Sequence, residues 1–207
     1  MNNISIKKYK QDEVQELAKI LKNDGVICVP TDTVYGLCAS MNSVIGHKKL
    51  MEIKNRPENK LFSIMCADEK QIKEIAIVDD IAEKLIQSFM PGPITLILKK
   101  KNENLKYGNN DSKTIAVRMA TSKTLKDLIL KLGCPIFMSS ANQSGEQTCN
   151  SINEVENTFP NLDGILEGTV SFGKASTIID CTSKEIKILR SGPITLKELN
   201  EILNLEN

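Results

Sequence analysis

The chain alternates short, wholly apolar runs with stretches in which apolar residues recur at three- and four-residue spacing. Val14, Leu17, Ala18 and Leu21 share one helical face and Gly25 follows as a stop, so a helix is expected over residues 12–23. Val26-Ile27-Cys28-Val29 comes next, apolar throughout like a strand buried on both faces, and it breaks at Pro30. Further strands are expected at 62–66, 94–98, 114–119, 135–138, 177–180 and 185–189. Helical patterns lie between several of them, at 43–53, 79–89 and 122–132, the last running into Gly133. Thr195 and Glu198 have capping-box spacing and open a closing helix that reaches Leu203. Strands alternating with helices, then a strand-rich last third, predict an α/β fold with a mixed sheet. One domain is expected, over residues 5–207, because no repeat, low-complexity segment or linker divides the chain. The polar stretch Lys99–Lys113 is expected to be an exposed loop.

Composition narrows the class. With 41% hydrophobic residues, 26% charged residues and a net charge of +1, the chain has the make-up of an ordinary globular protein, without the surplus of a strongly basic nucleic-acid module. No stretch approaches the roughly 18 apolar residues of a membrane span. The N-terminus has no apolar run ending in a small-residue cleavage site, so a cytoplasmic protein without membrane association is expected. Six cysteines are scattered without a CxxC pair and read as reduced, mostly buried thiols. His47, the single histidine, leaves no material for a His-based triad or a typical zinc site, and is expected to be a solvated helix residue.

The basic residues carry a sharper signal. Of 27, only Arg56, Arg118 and Arg190 are arginine, and each sits in a short polar motif beside a predicted strand. Arginine's planar fork binds phosphate or carboxylate through two parallel hydrogen bonds, which lysine does not do. Thr31, Asp32 and Thr33 follow the first strand in PTDTVYGL, read as a strand-to-helix turn with hydroxyl caps. Lys54, Arg56 and Lys60 form a cationic cluster around Pro57, suited to a polyanion such as a triphosphate. Ser139-Ser140-Ala141-Asn142-Gln143-Ser144-Gly145 follows an apolar strand, and small polar residues with a glycine let backbone N–H groups approach an anion. These motifs all stand at strand ends, so the ligand is expected in the crevice beyond them. Neither GxxxxGK[ST] nor GxGxxG is present.

In order, PTDTVYGL, KNRP with Lys60, PGPITLIL at 91–98, Val117-Arg118, SSANQSG, STIID at 176–180 and LRSG at 189–192 resemble the YrdC/Sua5 family, the threonylcarbamoyl-AMP synthases. The resemblance runs from about residue 10 to the C-terminus. It implies a twisted mixed sheet flanked by helices, with a basic concave cavity. It also implies an enzyme, a nucleotidyltransferase, that combines ATP, L-threonine and bicarbonate into L-threonylcarbamoyl-adenylate with release of pyrophosphate. The product would pass to a threonylcarbamoyl transferase complex for modification of adenosine 37 in tRNAs reading ANN codons. On the matching positions, Thr33, Arg118, Ser140 and Ser176 would hold L-threonine. Arg56, Lys60, Thr114, Asn142, Asn150 and Arg190 would hold ATP, and Lys54 joins Arg56, Ser140 and Asn142 in the family's KxR and SxN set. Mg²⁺ would accompany ATP without a dedicated protein site, and Asp32 would contact it through water or hold the turn. Leu61, Met65 and Ala120 depart from the usual pattern, and Met65, standing where many members have His, is expected to leave the wall near the amino acid apolar. Two alternatives stand beside this reading: a non-enzymatic double-stranded RNA-binding or ribosome-maturation module, and a paralogue using another amino acid.

Overall fold

The apolar runs pair edge to edge because a buried strand must find partners for its backbone N–H and C=O groups. The computed structural model describes residues 6–57, 60–102, 112–171, 173–183 and 185–203. Within these, the strands are β1 (Lys8–Tyr9), β2 (Val26–Pro30), β3 (Tyr35–Ser40), β4 (Ser63–Cys66), β5 (Ala76–Ile77), β6 (Ile94–Lys100), β7 (Thr114–Met119), β8 (Ile136–Ser140), β9 (Gly164–Leu166), β10 (Thr177–Asp180) and β11 (Lys187–Arg190). The helices are α1 (Val14–Lys22), α2 (Val44–Ile53), α3 (Glu69–Ile75), α4 (Asp80–Phe89), α5 (Lys123–Leu132), α6 (Ile152–Thr158) and α7 (Leu196–Leu203). They build one mixed sheet in the order β1-β9-β2-β3-β8-β4-β7-β6-β10-β11, with β5 paired to β6. β4 runs parallel to β7 and β6 to β10, while β2–β3, β3–β8, β8–β4 and β7–β6 are antiparallel.

All the expected elements form, within a residue or two at their ends. Ser122 caps α5 by accepting the amide of Leu125 at 3.1 Å, and Gly133 closes it at φ +85°. Thr195 and Glu198 exchange the two hydrogen bonds of a capping box. Three readings need correction. PTDTVYGL is not a strand-to-helix turn: Tyr35–Ser40 pairs back on β2 as β3, and Thr31–Val34 is the hairpin turn between them. Lys99 and Lys100 extend β6, so the expected loop starts later, and residues 103–111 lie outside the described set. His47 is not solvated: half-buried, its ring lies 5.5 Å from that of Phe62 and 4.7 Å from that of Phe137, and burial lowers its pKa.

Side chains alternate across the sheet, and the two faces have different covers. One face carries Cys28, Leu37, Ile64, Leu96, Val117 and Phe137, and packs on Leu50 of α2, Ile72 of α3, Leu85 of α4, Val155 of α6 and Leu199 of α7. The other carries Ile27, Val29, Cys38, Met65, Ile136 and Met138 under Leu17 and Leu21 of α1 and Leu128 and Ile129 of α5. Those two helices cover only part of their face. Beyond them, the alternate positions of β6, β7 and β10 belong to neither apolar cluster.

Candidate active site

A cavity of about 320 Å³ occupies that uncovered part, a size usual for small-molecule sites. Its floor is made by alternate strand residues: Thr95 and Ile97 of β6, Thr114, Ala116 and Arg118 of β7, and Ile178 of β10, with Gly36, Ser63 and Met138 from neighbouring strands. The ligand crevice is therefore on a face of the sheet and not beyond the strand ends, as the motifs had suggested. Period-two alternation sends Thr114, Ala116 and Arg118 to the cavity while Ile115, Val117 and Met119 enter the core.

Three arginines reach this cavity from three elements. Arg118, 6% exposed, comes from β7. Its Nη1 donates to Thr33 Oγ1 at 2.9 Å and its Nη2 donates to Asp32 Oδ1. Arg118 Nε and Asp32 Oδ2 are buried without a hydrogen-bond partner among the described residues. Burial lowers the Arg118 pKa, Asp32 opposes that shift and Arg190 adds to it. Arg190, at the end of β11, donates from Nε to Ser176 O at 3.0 Å and from Nη2 to Ser176 Oγ at 3.1 Å, and Ser176 Oγ also meets Thr95 Oγ1 at 2.8 Å. Arg56 lies across the ring of Phe62, its Cζ 4.7 Å from the centroid, and donates to the carbonyls of Lys60 and Leu61 at 2.8 and 2.6 Å.

The turn after α2 separates two neighbouring cations. Asn55 adopts φ +45°, a conformation Asn tolerates better than most residues, so Lys54 and Arg56 part company. Arg56 goes to the cavity. Lys54, 1% exposed, turns inward and donates to the carbonyls of Ser140 and Asn142 at 2.5 and 2.7 Å. Burial pulls its pKa down to about 8, with Arg56 pushing in the same direction. Ser140 in turn donates to Asn142 Oδ1 at 2.5 Å, and Asn142 Nδ2 donates to the carbonyls of Gln143 and Glu146. Lys54 and Asn142 thus shape the loop behind Ser140.

Of the residues singled out in the sequence, Thr33, Arg56, Thr114, Arg118, Ser140, Ser176 and Arg190 share the cavity wall. Lys54, Lys60, Asn142 and Asn150 lie outside it, Lys60 and Asn150 exposed at the surface. Met65 does not form the apolar wall: it is 1% exposed beneath α1 and α5, and Met138 lines the cavity instead. Asp32 is held by Arg118 and borders a second cavity. Sequence reasoning missed Thr31, Ser63 and Thr95 as wall residues. The signal for the last two was a hydroxyl inside an otherwise apolar strand.

The turn's hydroxyls have a fixed polarity. Thr31 Oγ1 donates to Val34 O at 2.7 Å, so at its 2.9 Å contact with Thr33 Oγ1 the proton comes from Thr33. Thr33 accepts from Arg118 and has no proton left to give.

A hydroxyl-rich sheet face on which three arginines converge defines a candidate binding cavity in an α/β protein of mixed-sheet type. A sequence profile of the Sua5/YciO/YrdC family, described under telomere recombination, matches residues 19–192, and the chain belongs to that family. A protein of Methanocaldococcus jannaschii with a provisional threonylcarbamoyl-AMP synthase name is 30% identical over 202 residues, 95% of both chains. The threonylcarbamoyl-AMP synthase of Bacillus subtilis is 31% identical over 198 residues, covering 92% of this chain and 56% of its own. The crystal structure of P. abyssi Sua5 complexed with L-threonine superposes with a TM-score of 0.87 at 28% identity, covering 96% of this chain and 60% of that one. The chain therefore spans nearly all of the first relative and somewhat under two thirds of the other two.

Proposed function

We propose that the protein is an L-threonylcarbamoyladenylate synthase, a nucleotidyltransferase that makes L-threonylcarbamoyl-adenylate and pyrophosphate from L-threonine, bicarbonate and ATP. The observation that carries this reading is the convergence of Arg56, Arg118 and Arg190 on one hydroxyl-lined cavity. The name of the B. subtilis relative and the threonine held by the P. abyssi protein support the choice of product and amino acid.

The chemistry asks for threonine's neutral amine to form a C–N bond with carbon dioxide, releasing one proton to solvent, or with bicarbonate, expelling one water, to give the carbamate. The carbamate oxygen then attacks the α-phosphorus in line, and the new P–O bond forms as the bond to pyrophosphate breaks. Carbamates decompose readily in water, so the protein's contribution is proximity, exclusion of water and fixed positive charge, with no strong general base needed. Arg118, Thr33, Ser140 and Ser176 would receive the amino acid, and Arg56, Arg190 and Thr114 the phosphates. Thr33, whose proton is committed to Thr31, offers only a lone pair. It would accept an N–H of the amine and leave the nitrogen lone pair to the incoming carbon. Ser140, committed to Asn142, would likewise act as an acceptor.

Magnesium belongs to the Mg·ATP substrate in this reading. Among the described residues no three His, Cys, Asp or Glu side chains cluster as a metal site, and Asp32 is engaged by Arg118. Transfer of the product to adenosine 37 of ANN-decoding tRNAs by a threonylcarbamoyl transferase complex, in the cytoplasm, completes the proposal. No helix among the described residues is long and apolar enough to cross a membrane.

The test is pyrophosphate release from ATP with bicarbonate, with and without L-threonine and with each other amino acid. Threonine-dependent release is expected. L-serine, lacking one methyl group, should be poorer by roughly tenfold or more, since a methyl contact contributes about 1–3 kcal/mol. Release with a different amino acid only would move the protein to a paralogous activity, and no release at all would defeat the reading.

A further inference from the structure

We propose that Asp32 is the positioning residue for Arg118, fixing the guanidinium plane that receives the amino-acid substrate; this rests on the function proposed above. Asp32 is the second residue of the four-residue turn between β2 and β3. Thr31 sets the shape of that turn, donating to Val34 O and accepting from the amides of Thr33 and Val34 at 3.2 Å. Two consecutive residues of the turn then take the two terminal nitrogens of one guanidinium: Asp32 takes Nη2 and Thr33 takes Nη1. One contact would leave the group free to pivot, whereas two contacts from a rigid turn fix its plane.

The carboxylate lies outside the wall of the main cavity. It borders a separate cavity of about 280 Å³, so it meets Arg118 without itself lining the cavity proposed for the substrate. That position is wrong for a substrate ligand and right for a group acting through Arg118. The need for it is electrostatic. Arg118 is 6% exposed and within range of Arg190, and a buried cation beside a second cation requires a counter-charge.

The experiment compares wild type with Asp32→Asn and Asp32→Glu. The Asn variant keeps the shape and loses the charge. The Glu variant keeps the charge, and the neighbouring 280 Å³ cavity has room for its extra methylene. In pyrophosphate release, Asp32→Asn should lower kcat/KM for L-threonine roughly tenfold to a hundredfold, the scale of a misplaced substrate-orienting group. KM for ATP should stay unchanged, and Asp32→Glu should regain most of the loss. An unaltered kcat/KM for threonine, tighter threonine binding at full kcat, an equal loss for both substrates, or no recovery with Glu would overturn the proposal.

A second measurement needs no turnover. The chain has three arginines and so three side-chain Nε–H signals by ¹H–¹⁵N NMR. Asp32→Asn should shift the Arg118 signal and leave those of Arg56 and Arg190 in place, and Asp32→Glu should restore it. If the Asn variant does not fold, the Glu variant carries the test through the same signal: retention supports the role and loss overturns it. Absence of threonine-dependent release in wild type would sink the proposed function alone, because the Arg118 signal reports on Asp32 regardless.

Discussion

Two parts of one sheet face share the same backbone alternation and have opposite chemistry. Beneath α1 and α5, the outward positions of β2, β3 and β8 are Ile27, Val29, Cys38, Ile136 and Met138. Alongside, the same kind of position in β6, β7 and β10 holds Thr95, Ile97, Thr114, Ala116, Arg118 and Ile178, and among the described residues no helix of the α1–α5 layer packs on it. The site is thus a place where the apolar cover stops and the strand register continues. Folding energy comes from the covered part, where burial stabilises by roughly 25 cal/mol per Å² of apolar surface. Binding energy is left to the open part, where Arg118 stays buried only because Asp32 and Thr33 meet it.

The largest expected effect separates stability from activity. Leu128→Ala, a fully buried position in the α1–α5 layer, should cost about 2–5 kcal/mol of stability, a fall of roughly 5–20 °C in thermal midpoint. Activity per folded molecule should be retained. Arg56→Lys should do the reverse. It keeps the charge but loses the planar fork offered to the phosphates in the proposed function, and charge-assisted hydrogen bonds contribute about 1.5–3 kcal/mol, so turnover should drop roughly tenfold or more. If both variants lost stability and activity in proportion, the division between the two parts would be wrong.

Gly192→Ala tests how the open part is braced. A Cβ there would sit 2.2 Å from the amide nitrogen of Thr177 and 2.5 Å from the carbonyl carbon of Ser176, both backbone atoms that cannot swing aside. The segment after β11 would have to retreat, taking Arg190 from Ser176. A destabilisation of about 1–3 kcal/mol is expected from such overpacking, with KM for ATP raised more than KM for threonine. Unchanged ATP kinetics would show that Arg190 does not depend on this close approach.

What the sequence made legible follows the same division. Long apolar strands and amphipathic helices announce themselves, because burial selects their residues. β1, β5 and β9, of two or three residues, are too short for any period to register. α3 was missed because Glu69–Ile75 places only Ile72 and Ile75 in the core. β3 was hidden by its position directly after a polar motif. At the site, residue types pointed to the right arginines, but tertiary structure decided what each polar group does. Lys54-Asn55-Arg56 reads as one exposed cationic cluster, and only the left-handed Asn55 sends Lys54 under the Ser140 loop. Asp32 has its partner 86 residues away, which no local pattern encodes.

Lys54 gives the smallest expected effect and the finest distinction. With its pKa lowered to about 8, chiefly by burial, Lys54 binds its proton less tightly in the fold than in the unfolded chain, where the usual value is 10.5. Between pH 8 and 10.5 the unfolded state therefore holds more protons, and the contribution of this group to stability rises with pH; below pH 8 both states are protonated and the unfavourable contribution is fully present. Function need not follow the charge. A neutral amine retains two N–H donors, enough for the two carbonyls of Ser140 and Asn142. If Lys54 serves only to shape that loop, ATP affinity measured by calorimetry should stay level from pH 7 to 9. A loss of affinity centred near pH 8 would mean that the ammonium charge itself acts on the phosphates. Lys54 would then join Arg56, Arg118 and Arg190 as part of the open region's cationic field, despite standing outside the cavity wall.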